Sequence, residues 1–157
     1  MSNERGVYMD TGYKSNVKID FTNGDVGIDV SNGKETFSFV SGIGSMALPH
    51  FFDTLSKFYT GDMTKEKLYC HGNGEFYNYS TDGIDLTIEH VDDQYDTVTY
   101  HFNLRKYMEA VDIGFTDYVN KLEQEGKIIA LKERDQYHPL NEELLNYFNK
   151  FSALING

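Results

Sequence analysis

The chain has 157 residues, of which 39% are hydrophobic, with 11 Phe and 12 Tyr but no Trp. That length suits one domain, residues 1–157, with an aromatic-rich core, and excludes a disordered chain. Fourteen Lys and Arg against 25 Asp and Glu leave a net charge of −11, a field that repels phosphate backbones and anionic membrane surfaces. Nucleic acid is therefore excluded as a direct ligand, whereas a basic protein is attracted and steered. A single cysteine excludes an intramolecular disulfide and any multi-cysteine zinc site. The opening MSNERGVYMDTGYKSN lacks the apolar run of a signal peptide, and no stretch approaches the roughly 18 apolar residues of a membrane span. The expectation is a cytoplasmic protein.

In chain order, VKIDF sets Val17, Ile19 and Phe21 on one face of a strand. VGIDV repeats the alternation with Val26, Ile28 and Val30, and ETFSFV with Phe37 and Phe39. Asn23-Gly24 and Asn32-Gly33 stand between them, and such pairs suit hairpin turns because both residues tolerate positive φ. Residues 17–40 thus read as a three-stranded meander. SGIGS then breaks the sheet, and LPHFFDTLSKFYTG turns to a helical period, with Pro49 in its first turn and Gly61 at its stop. Strands return in KLYCH, EFYNYS, GIDLTIEHV and TVTYHFNL, with turns at residues 72–74 and 82–83 and the acidic link VDDQYD at 91–96.

Asn103 is placed to cap a long helix carrying Leu104, Met108, Val111, Phe115 and Leu122 on one stripe and ending at Gly126. Residues 127–138 fit no single element. A last helix over 139–155 opens at Pro139 and carries Leu144, Leu145, Phe148, Phe151 and Ile155. The order predicts an α+β fold, a largely antiparallel sheet of about seven strands with one mid-chain helix and two C-terminal helices.

LYCHGNGEFYNYS looks most like chemistry, since it joins Cys70 to His71. Neighbours along a strand point to opposite faces, however, which is wrong for a nucleophile and its base, so no catalytic residue is expected. SGIGS and GNGE lack the Lys and Ser or Thr of a phosphate loop. No metal and no cofactor is expected, although His90 and His101 with the acids between them leave a small metal-dependent hydrolase at 90–101 as the alternative. A small-ligand module with a pocket between sheet and helices is a third class.

What the residues favour is a partner surface. Asp20, Asp29 and Glu35 fall on the polar faces of the first hairpins, Glu89, Asp92, Asp93 and Asp96 gather near one sheet end, and Tyr77, Tyr79 and Tyr95 lie in or beside the later strands. Carboxylates pair with Lys and Arg, and tyrosine adds contact area at low entropic cost, so these ten residues form the expected partner-binding set.

The alternating-strand opening, PHFFDTLSKFYTG, GEFYNYSTDGIDLTIEHV and TVTYHFNLRKYMEAVDIGFTDYVNKLEQ together resemble, over residues 17–125, small bacterial immunity proteins cognate to wall-associated polymorphic toxins. The resemblance implies a non-catalytic cytoplasmic protein that binds a cognate toxin domain and occludes its active surface. Toxins of the nuclease kind are basic because their substrates are polyanions, and an acidic inhibitor competes in the same field. The resemblance carries no inhibitory residue over to this chain.

Overall fold

A computed structural model describes residues 12–126 and 137–157. The fold is α+β: seven strands in two antiparallel sheets, with one mid-chain helix and two helices toward the C-terminus. The first sheet is the meander β1 (Lys14–Ile19), β2 (Val26–Ser31) and β3 (Thr36–Ser41). Helix α1 (Gly44–Thr60) leads to the second sheet, which is β4 (Lys65–Tyr69), β5 (Phe76–Thr81), β6 (Asp85–Val91) and β7 (Thr97–Asn103) in that order. Helices α2 (Leu104–Gln124) and α3 (Glu142–Asn156) complete the fold. The strands thus divide three and four, where the sequence suggested a single sheet. Apart from Tyr137 and His138, the unassigned stretch 127–138 lies outside the described residues.

Three expectations in the first half of the chain need correction. Phe21 is not part of the first strand's buried face, because β1 ends at Ile19 and the chain turns over residues 20–25, leaving Phe21 exposed. The Asp20 carboxylate builds that turn by accepting the N–H groups of Thr22 and Asn23 at 2.8 and 3.3 Å. SGIGS does not merely interrupt the sheet: helix α1 already starts at Gly44, which puts Pro49 beyond its first turn. A glycine is required there, since a Cβ at Gly44 would lie 2.4 Å from Val26 Cγ1 and 2.8 Å from the Gly24 carbonyl. The helix entry is pressed against the β1–β2 turn, and Gly44 N–H donates to that carbonyl at 2.9 Å. Finally, β4 stops before Cys70 and His71, so the strand geometry expected for that pair does not apply.

The cap and stop of α2 hold, but Pro139 does not open the last helix, because the chain there is still in a turn and α3 begins at Glu142. The Asn103 side chain accepts the Lys106 N–H at 2.9 Å, and Gly126 has the positive φ of a helix stop. Asn141, two residues past Pro139, caps α3 by accepting the Leu144 N–H at 2.8 Å.

One buried cluster unites both sheets and all three helices. Phe52 of α1 is its hub: its ring centroid lies 5.3 Å from Phe51, 5.2 Å from Phe115 of α2, and 5.2 and 5.0 Å from Phe148 and Phe151 of α3. Toward the sheets, Phe39 meets Phe51 at 4.7 Å, and Phe37 meets Tyr77 and Tyr100 at 5.2 and 4.9 Å. The sheets are also joined where side chains reach strand edges. The Tyr77 hydroxyl of β5 accepts the Val40 N–H of β3 at 3.1 Å, and on the opposite edge of the first sheet the Tyr118 hydroxyl of α2 accepts the Ile19 N–H of β1 at 3.2 Å. An edge N–H satisfied by a side chain is closed to another strand at that point.

Candidate functional site

The ten residues expected to bind a partner do not form one patch. Tyr77 and Tyr79 share a face, but it is the core face: both are 0% exposed, which removes them from any partner surface. The Tyr79 hydroxyl lies 3.1 Å from that of Tyr107, and Tyr77 accepts the Cys70 thiol proton at 3.1 Å. Burial is the main cause that drives all three tyrosines above the ordinary phenol range. It also pushes the Cys70 thiol up, against the smaller opposing effect of the hydrogen bond to Tyr77. That is the reverse of what a nucleophilic cysteine needs.

The remaining acids scatter. Asp20 is exposed in the β1–β2 turn. Asp29 lies on the outer face of the first sheet and accepts the Ser38 hydroxyl at 2.6 Å. Glu35 sits where the two sheets meet, facing the His101 N–H at 3.4 Å. Glu89 is on the outer face of the second sheet and accepts from Asn78 at 2.9 Å.

Asp92, Asp93, Tyr95 and Asp96 do come together, on the tip that joins β6 to β7. The geometry follows from a short hairpin connection. Asp92 N–H donates to the Asp96 carbonyl and Tyr95 N–H to the Asp92 carbonyl, both at 2.9 Å, while the Asp92 carboxylate accepts the N–H groups of Gln94 and Asp96 at 2.9 Å. Such a loop ends in a left-handed residue, a place that suits glycine or asparagine. Here Tyr95 fills it, at φ 65° and 80% exposed. A side chain in that conformation costs on the order of 1 kcal/mol. The result is an aromatic ring held in solvent on a loop with three carboxylates, three residues before Val98, itself 55% exposed at the start of β7.

The same strands settle the geometry of the metal alternative. His90 pairs with Val98 and His101 with Thr87, so the two imidazoles project from opposite faces of the sheet. His90 Nε2 lies 2.6 Å from a Glu75 carboxylate oxygen, over the Tyr77 ring. Among the described residues no group of three or more His, Cys, Asp or Glu is placed to hold a metal ion. A cleft of about 610 Å3 opens between β1 and α2, but Asp117, Tyr118 and Glu125 in its wall already have partners. Also among the described residues, no helix is long and apolar enough to cross a membrane.

Sequence reasoning missed Val98 and the strand edge beside it. The alternation Val98, Tyr100, Phe102 was readable, but which strand of a sheet is outermost depends on pairings that no local pattern encodes. In comparisons with known proteins, no family model, no curated protein and no solved structure matches the chain.

Proposed function

We propose that this chain is a cytoplasmic immunity protein that binds a basic bacterial toxin domain, of the nuclease kind, and neutralises it by covering its active surface. The observation that carries the reading is the β6–β7 tip, where Tyr95 is presented in a disfavoured backbone conformation among Asp92, Asp93 and Asp96. A solvent-facing aromatic flanked by carboxylates suits a surface rich in Lys and Arg, since the ring supplies area and a cation–π face while the acids supply attraction. The net charge of −11 adds long-range steering toward such a partner.

The test uses Asp93 and Asp96, because the Asp92 carboxylate also builds the loop. With the product of the reading frame beside this chain as the partner tested, Asp93→Lys/Asp96→Lys is expected to slow association about tenfold or more at low ionic strength. The gap should narrow as salt shortens the screening length to about 3 Å at 1 M. An unchanged rate at low salt would show that the tip does not face the partner. Tyr95→Gly should separate function from stability. Relief of the left-handed side chain is expected to raise unfolding stability by up to about 1 kcal/mol in a denaturant titration, while affinity for the same partner falls. A variant that binds as well as the parent would remove Tyr95 from the interface.

A further inference from the structure

We infer that the free half of the β7 edge, at Thr97 and Thr99, receives an extended basic segment of the partner as an added strand. The inference rests on the neutralisation reading above and names how the partner docks. β7 is outermost in its sheet, and its hydrogen-bonding groups alternate between β6 and the outside. Which residues face outward is set by their contacts: His101 N–H faces Glu35 at 3.4 Å, its carbonyl accepts from Asn32 at 3.2 Å, and Asn103 N–H donates to the Tyr13 hydroxyl at 2.9 Å. Two and four residues earlier, the equivalent groups of Thr99 and Thr97 have no hydrogen-bond partner among the described residues, and Thr97, Val98 and Thr99 are all exposed.

The β1 and β4 edges are managed differently. β1 is covered along α2 with the Tyr118 hydroxyl on Ile19 and β4 carries Lys65 and Lys67, whereas β3 is met by the Tyr77 hydroxyl at Val40 and leaves Thr36 and Ser38 exposed, far in sequence from the carboxylates of the Asp92–Asp96 loop. Lysines and covering groups are the usual guards of an open edge. The Thr97–Thr99 stretch has none: it is β-branched, uncharged and free of proline, well suited to pairing.

Charge selects the occupant. Asp92, Asp93 and Asp96 lie at one end of the open stretch, Glu89 stands directly across from Thr99 on β6, and Glu35 closes the other end, with Lys34 the base in the adjoining turn. A second copy pairing here would bring like acidic loops together in a chain of net charge −11, whereas a Lys- or Arg-rich strand meets opposite charge while its backbone supplies the missing hydrogen bonds. Val98 and Tyr95 offer apolar contacts beside that strand.

The experiment uses a short synthetic peptide of alternating lysine and valine, with a glutamate and valine peptide as its counterpart. The lysine peptide is expected to slow amide hydrogen exchange at Thr97 and Thr99 of the intact chain, and the glutamate peptide to leave it unchanged. Thr99→Pro removes an outward N–H that no partner inside the fold uses, a change an edge strand accommodates. It is expected to weaken the lysine peptide about tenfold or more, in line with lost backbone bonds. Absence of binding, protection elsewhere in the chain, or equal binding by Thr99→Pro would each overturn the edge assignment. Binding to the product of the neighbouring reading frame separates the two ideas. Equal binding to parent and Thr99→Pro overturns the edge and leaves neutralisation standing, whereas no binding to the parent overturns neutralisation and the edge with it.

Discussion

Above pH 10 the protein is expected to lose stability steeply and unfold within a few pH units. Tyr77, Tyr79 and Tyr107 are buried, and burial holds each phenol well above its ordinary value of about 10. In the unfolded chain these groups ionise as pH passes 10, whereas in the native state they stay protonated, so the native state binds more protons and stability falls as pH rises. The contribution is complete below pH 10 and is lost progressively above it. Each group contributes a slope of about 1.4 kcal/mol per pH unit, so three give about 4 kcal/mol per unit. Set against a typical stability of about 5–15 kcal/mol, unfolding is expected roughly between pH 11 and 14.

The check is alkaline titration followed by near-ultraviolet tyrosinate absorbance and far-ultraviolet circular dichroism together. A Tyr79→Phe/Tyr107→Phe variant should shift the midpoint upward, because two of the three groups can no longer ionise. At neutral pH its stability should change by no more than about 1 kcal/mol, since both hydroxyls of the 3.1 Å pair are removed together and none is orphaned. If the fold persists while every tyrosine ionises reversibly near pH 10, Tyr77 and Tyr79 belong to the surface after all.

The second large effect is expected from Phe52→Ala, at about 3–5 kcal/mol of unfolding free energy. The ring is fully buried and touches rings from all three helices, so its removal opens a cavity that no single side chain can collapse to fill. At roughly 2–4 °C per kcal/mol for a chain of this size, the melting temperature should fall by about 10 °C. Phe52→Leu keeps part of the volume and should lose markedly less. Because Phe52 meets the rings of both Phe148 and Phe151, while only Phe148 has a second anchor on Phe115, proteolysis within α3 should rise in Phe52→Ala before the remainder of the domain is cut. Thermal unfolding and limited proteolysis read the two effects separately, and a near-neutral Phe52→Ala would mean that α3 is not docked through this ring.

The periodicities that define the elements were legible because they are local. Alternation in VGIDV and TFSFV, the helical stripe from Leu104 to Leu122 and the Asn103 cap each depend on residues a few positions apart. What was not legible depends on contacts far along the chain. EFYNYS shows that Tyr77 and Tyr79 share a face, but their burial comes from Phe37, Val40 and Tyr107, 28 or more residues away in sequence for the two hydrogen-bonded partners. Gly44 read as a breaker because its reason, the approach of Val26 and the Gly24 carbonyl, belongs to a different hairpin. The acids divided in the same way. Asp92, Asp93, Tyr95 and Asp96 were contiguous enough to be found together, while Asp29, Glu35 and Glu89 were separated by sheet faces that sequence does not order. The open edge at Thr97 and Thr99 was invisible for the same reason.

The proposal that this chain neutralises a basic toxin domain is tested most directly by co-expression with the product of its neighbouring reading frame, with binding of the purified pair measured in parallel. The account predicts that the parent chain restores growth and binds the domain with salt-sensitive association, and that Asp93→Lys/Asp96→Lys restores growth less well at equal abundance. A parent chain that is folded and abundant, yet neither binds the domain nor restores growth, would contradict it.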